Sequence, residues 1–141
     1  MTTNILISEH PEERISKLLS LIGQPARIQI LLIIGAQEAC VCHLEAVLGM
    51  RQASISQHLM ALRKAGLVTT HRDRRNIFYH LTRPEVVDVL HQAAQITGIS
   101  PEELRSLTLR PVPNCPCPQC NPDLDPQLTC QNLNTGAKKE S

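Results

Sequence analysis

The chain has 141 residues, 42% hydrophobic and 19% charged, with one Phe, one Tyr and no Trp, the length of one domain with an appendage. Its formal charge is +1, and its longest nearly apolar run, Ile28 to Ile34, is broken by Gln29 and too short to span a bilayer, so no transmembrane protein is expected. Residues 1–14 carry Glu9, Glu12 and Glu13 and lack the cationic start and apolar middle of a secretory signal, which makes a cytoplasmic protein the expectation.

Residues 1–10 read as a flexible N-terminus, 11–107 as the folded domain and 108–141 as a tail. The first predicted helix runs from Pro11 to Leu21, where Ile15, Leu18, Leu19 and Ile22 form a stripe at helical spacing, closed by Gly23. Pro25 opens a second helix, whose run Ala26 to Ile34 is apolar nearly all round and marks the centre of a bundle. A third, short helix spans about Val41 to Leu48 and stops at Gly49. A fourth spans about Ala53 to Ala65, buries Ile55, Leu59 and Leu62 and ends at Gly66. Two short helices joined by so tight a connection form a helix-turn-helix. Leu67 to Thr70, a charged turn over 72–76 and Ile77 to Leu81 read as a β-hairpin, or wing. A fifth helix begins at Pro84 and runs to about Ile96, with Val86, Val87, Leu90, Ala93 and Ala94 apolar. Ser100, Pro101 and Glu103 give a capping box for one more short helix to about Leu107. The expected fold is mainly α with a β-hairpin wing.

Charge is uneven along this frame. Residues 51–83 hold Arg51, Arg63, Lys64, Arg72, Arg74, Arg75 and Arg83 against Asp73 alone, a window of +6 that leaves −5 for the remainder. A cationic surface on an otherwise acidic protein attracts a polyanion at one face, and nucleic acid is the first candidate. With 55, 59 and 62 buried, helix four turns Gln52, Ser56, Gln57, Met60, Arg63 and Lys64 outward. Gln can pair two-pronged with adenine, Ser and the helix N-terminus can hold phosphate, and Arg63 and Lys64 can neutralise backbone charge. A polar helix face alone is ordinary; beside a hairpin carrying Arg72, Arg74 and Arg75, which would reach a flanking groove or phosphates, it is a DNA-reading arrangement.

The run Gln52-Ala-Ser-Ile-Ser-Gln-His-Leu-Met-Ala-Leu-Arg-Lys-Ala-Gly-Leu-Val68, followed by the wing from Thr69 to Leu81, resembles the winged helix-turn-helix repressors of the ArsR/SmtB family. The resemblance covers roughly residues 11–97 and is strongest from Ser54 to Val68. Ser54 and His58 are counted with the DNA-facing set, His58 falling at the family's usual His in the recognition helix, where it is expected to be structural or to contact phosphate. Upstream, Glu38-Ala-Cys-Val-Cys-His-Leu44 resembles the family's thiolate box Glu-Leu-Cys-Val-Cys-Asp-Leu, with Ala39 and His43 departing from it. The resemblance implies a homodimer through residues 11–22 and 84–97 that binds double-stranded operator DNA and leaves it when a metal or metalloid binds.

The cysteines carry the rest of the chemistry. Four of six, with six of ten prolines, fall in the last 31 residues, where neither a core nor a helix can form. Cys40 and Cys42 would diverge by roughly 200° within a regular helix, so both serve one ion only if Cys40 lies outside it. There the helix dipole favours the thiolate that binds metal. Cys115-Pro-Cys-Pro-Gln-Cys120 offers three more thiols, held extended by Pro116 and Pro118. From about Leu107 the tail reaches at most roughly 28 Å to Cys115, enough to meet helix three of its own or a partner chain. The expected site is Cys40, Cys42, Cys115, Cys117 and Cys120, with Cys130 left out; such donors select As(III), Cd(II), Pb(II) or Zn(II) as effector.

Relatives by resemblance that use this box for cadmium or lead draw further thiols from an N-terminal extension, and residues 1–39 contain none. An arsenic-sensing relative's third thiol would need to stand at Glu45. The last-helix site of zinc and nickel or cobalt sensors aligns with Arg83, Glu85 and Ile96, which cannot reproduce it. The tail is therefore the expected replacement source. His43 is expected to face solvent, and His71, His80 and His91 show no ligand-like spacing. A redox switch through a reversible disulfide is the alternative. A thiol oxidoreductase using Cys117-Pro-Gln-Cys120 lacks the βαβ pattern it needs and leaves the basic helix and wing unexplained.

Overall fold

The computed structural model describes residues 10–74, 76–109, 115 and 120–123. Along them run α1 (Pro11–Ile22), α2 (Pro25–Ala36), α3 (Val41–Leu48), α4 (Gln52–Lys64), β1 (Val68–Asp73), β2 (Asn76–Leu81), α5 (Glu85–Ile96) and α6 (Pro101–Ser106). The helices start where the sequence provides caps. Pro11 opens α1, and the Glu13 carboxylate accepts the His10 backbone N–H at 3.0 Å; at α6 Ser100 and Glu103 exchange the two bonds of a capping box. After Gly23, Pro25 restarts the helix at a sharp bend. Arg27 donates through Nη1 to the Leu21 carbonyl at 2.9 Å, satisfying one of the acceptors that a helix end leaves open. Among the described residues no single helix is long and apolar enough to cross a membrane.

The core forms around α2. Five consecutive residues, Ile30 to Ile34, are buried, because α3, α4, α5 and β2 all pack against this helix. Each such side chain contributes about 1.5–3 kcal/mol through removal from water. At the crossing with α5 the helices touch so closely that a Cβ on Gly35 would lie 2.5 Å from Val87 Cγ2. Val86, Leu90 and Ala94 of α5 are buried, whereas Ala93 is exposed. The stripe on α1 is split in the same way: Ile22 joins the core and Leu18 packs partly against it, while Ile15 is 58% and Leu19 49% exposed.

Gly49, in the left-handed region at φ 67°, ends α3, and α4 begins three residues later with Arg51 as its N-cap. Ile55, Leu59 and Leu62 hold α4 in the core, as the periodicity predicts. Beyond Gly66 the hairpin pairs antiparallel from Val68↔Leu81 to Asp73↔Asn76. Its strands run further than expected, taking in Arg72, Asp73 and Asn76. The ladder is made of backbone groups and continues through polar residues until the tight turn after Asp73, where Arg74 has φ 61°. A third extended segment joins the other edge of β2: Ala39 and Tyr79 exchange both backbone hydrogen bonds, at 3.1 and 2.8 Å. This segment delivers the chain to the N-terminus of α3.

Candidate functional site

Cys40 is the N-cap of α3, with extended backbone at φ −90° and ψ 167°. It therefore escapes the angular divergence of a helical i, i+2 pair, and its Sγ lies 2.8 Å from that of Cys42. The tail comes back onto the same place. Cys115 and Cys120 are buried, and their Sγ atoms lie 3.3 and 3.4 Å from His43 Nδ1. Asn121 closes the returning segment by donating Nδ2–H to the Cys115 carbonyl at 2.6 Å. Phe78 and Ala46 pack around the four cysteines. Of these, Cys42 is one half of a disulfide, and Cys40, Cys115 and Cys120 are not disulfide-bonded. Cys117 and Cys130 lie outside the described residues.

His43 corrects the sequence reading. It does not face solvent: it is 1% exposed, since the tail covers the opening turn of α3 and leaves the imidazole between helix and tail thiols. The donor atoms of His43, Cys115 and Cys120 all lie within 4.8 Å of one another. A buried set of sulfurs with one imidazole nitrogen matches the ligand preferences of Zn(II) and Cd(II) and excludes hard, oxygen-seeking ions. Glu45, two residues beyond His43 on α3, is not part of this group; burial raises its carboxyl pKa above the ordinary value.

The residues expected to face DNA lie elsewhere, on α4 and the wing. Gln52, Gln57, Arg63 and Lys64 are exposed, and Ser54 and Ser56 half-buried. Met60 is 55% exposed. A shallow hollow lined by Ser56, Met60, Arg63, Lys64 and Tyr79 joins the outer face of α4 to the wing. Arg72 and Arg74 are exposed on that wing; position 75 lies outside the described residues. His58 differs from its neighbours: its Nδ1 accepts Nε–H of Arg27 at 3.1 Å, and burial followed by the nearby guanidinium lowers its pKa. The ring is thereby tied to α2, and its neutral form is favoured. His71 and His80, which sequence spacing kept apart, are brought together by hairpin register, with ring centroids 5.6 Å apart. His91 is exposed on α5.

A helix-turn-helix followed by a two-stranded wing, with its cationic side chains on the second helix and the hairpin, defines a winged-helix DNA-binding protein. Residues 24–70 match the family described as bacterial regulatory protein, arsR family. Over 86 residues the chain is 36% identical to the biofilm growth-associated repressor of Agrobacterium fabrum, covering 61% of this chain and 73% of that one. NolR from Sinorhizobium fredii superposes with a TM-score of 0.56 at 31% identity, over 65% of this chain and 97% of its own. The cadmium metal-sensor CMTR from Mycobacterium tuberculosis superposes at 0.51 with 25% identity, over 61% and 90%. The chain belongs to the ArsR/SmtB family of transcriptional regulators and is a DNA-binding protein, not an enzyme. The matched family segment includes Cys40, Cys42 and His43 but ends well before the tail cysteines.

Proposed function

We propose that this protein is a repressor that binds operator DNA as an apo homodimer and is released when a thiophilic ion binds at the opening of α3. The observation that carries this reading is the seating of Cys115 and Cys120 against His43, beside Cys40 and Cys42. Cys40, Cys42, Cys115, Cys117 and Cys120 supply the thiolates, and His43 adds a nitrogen. Three thiolates suit As(III) or Pb(II); a mixed sulfur and nitrogen set favours Cd(II) or Zn(II). Bound, the ion replaces weak thiol contacts with bonds that fasten the tail to α3. Since α3 is the first helix of the helix-turn-helix, fastening its N-terminus biases the orientation of α4, and a coupling of about 1–3 kcal/mol is enough for regulation.

Gln52, Ser54, Ser56, Gln57, His58, Arg63, Lys64, Arg72, Arg74 and Arg75 form the DNA face. The exposed apolar residues of α1 and of α5, Ile15, Leu19 and Ile96, are the dimer contacts, and residues 108–141 form a regulatory tail in a cytoplasmic protein. The test is operator affinity by fluorescence anisotropy on reduced protein, titrated with As(III), Cd(II), Pb(II) and Zn(II), with the full chain and with the chain ending at Arg110. Release by an ion from the full chain only is the expected result. Unchanged affinity at stoichiometric ion defeats the proposal.

The disulfide at Cys42 favours a second reading, in which oxidation of the same thiols releases DNA. Peroxide-dependent, reductant-reversible release in metal-free buffer, with no response to the ions, distinguishes it.

A further inference from the structure

We propose that Glu38, His71 and His80 form a second metal site, selective for a borderline divalent ion such as Zn(II), that clamps the wing to the segment leading into α3. Because Ala39 pairs with Tyr79 antiparallel to β2, Glu38 stands opposite His80 and Cys40 opposite Phe78. His71 pairs with Phe78 across the hairpin. Side chains alternate between the faces of a sheet, so all five of these residues share one face of a three-strand surface. On it, one Glu oxygen and one ring nitrogen from each His lie within 4.8 Å of one another.

The geometry is already close to what an ion requires. Glu38 Oε1 and His71 Nδ1 are 3.3 Å apart, about the edge of a tetrahedron whose metal–ligand bonds are roughly 2.0–2.1 Å. Among the described residues His80 Nδ1 is buried without a hydrogen-bond partner, a condition buried polar groups rarely tolerate. Two imidazoles and a carboxylate with a fourth position open to water suit Zn(II), and lack the thiolate that As(III) and Pb(II) prefer. Phe78 separates the two sites, packing with the cysteines and stacking with His71 at 5.7 Å.

An ion here restrains the hairpin that carries Arg72 and Arg74, and does so through the strand that also carries Cys40. The site stands on its own donors and does not depend on the thiolate reading. Co(II) is the probe, added stepwise to the reduced full-length chain. The thiolate site absorbs in the near ultraviolet through sulfur-to-metal charge transfer, whereas a site of nitrogen and oxygen donors shows only weak visible bands. The expected result is a second equivalent per protomer that adds visible bands without further thiolate absorption and is displaced by Zn(II) but not Mg(II). His71→Ala and Glu38→Gln each weaken that equivalent at least tenfold and leave the thiolate band intact. Both residues are exposed or half-exposed, so neither variant endangers folding, and retained circular dichroism checks this. Binding of no ion beyond the thiolate-absorbing one, or a second equivalent that survives both substitutions, overturns the proposal. Absence of the thiolate band with the second equivalent present defeats the thiolate reading alone.

Discussion

The outer face of α4 and the opening turn of α3 belong to one helix-turn-helix and are built on opposite principles. The α4 face is mostly exposed, polar and local: its residues come from one helix or the adjoining hairpin, and His58 alone among the described ones is tied to a more distant residue, Arg27. The α3 cluster is buried, and two of its members, Cys115 and Cys120, arrive from the tail, more than seventy residues downstream of His43. An exposed face is suited to a partner that brings its own charge and shape. A buried site assembled from distant segments is suited to a small ion, since ordering the tail is costly and only direct bonds offset that cost.

Both regions stand on one core, and Leu59, 1% exposed beneath α4, is the place to break the contrast between them. Leu59→Ala leaves a cavity and should lower unfolding free energy by about 2–5 kcal/mol, measured by urea denaturation. DNA affinity and ion affinity should fall together, because α3 and α4 pack on each other. Loss of one with the other intact would mean that the two regions are mechanically separate.

Two substitutions sharpen the contrast by dividing it. His43→Gln removes the imidazole nitrogen facing Cys115 and Cys120. It should lower ion affinity roughly 10–100-fold, the range that even outer-shell groups command, with apo DNA affinity unchanged. Gln57→Ala should do the reverse, costing about 1–3 kcal/mol of operator binding and relaxing discrimination at the base it reads, with ion affinity unchanged. Anisotropy and competition titration on the same preparations check both. A His43 variant that binds DNA poorly would assign this residue to packing.

The two regions also differed in how far the sequence reveals them. Helical period, Gly stops and proline starts placed each helix within a residue or two, and the burial of Ile55, Leu59 and Leu62 followed directly from their spacing. The requirement that Cys40 stand outside α3 was also legible, since an i, i+2 pair within the helix could not converge. His43 was not. A lone His in a short helix carries no spacing that marks it as a partner of thiols seventy residues away, and the returning tail sets Cys115 and Cys120 against it. His71 and His80 were missed for a related reason. On a hairpin the signal is register across the strands, and the register here extended beyond the residues that looked like strand. The tail's approach to α3 was inferred from reach alone, which bounds a distance and does not select a partner.

The smallest expected effect concerns the residue that belongs partly to each world, His58, on the DNA face in sequence and tied inward by Arg27. Burial and then the guanidinium lower its pKa from the ordinary 6.5, so the folded protein holds the ring neutral where the unfolded chain would protonate it. Between the lowered value and 6.5 the unfolded state binds more protons, and stability rises with pH across that window. The contribution is fully present above pH 6.5 and is lost as pH falls through the window, when protonation of Nδ1 breaks the bond from Arg27 Nε. Urea midpoints measured between pH 7.5 and pH 5 should therefore fall more steeply for the native sequence than for His58→Gln, which has no proton to gain. Equal slopes would show that Arg27 and the burial of the ring do not perturb His58, and would return it to the DNA face as a group free to take a charge beside phosphate.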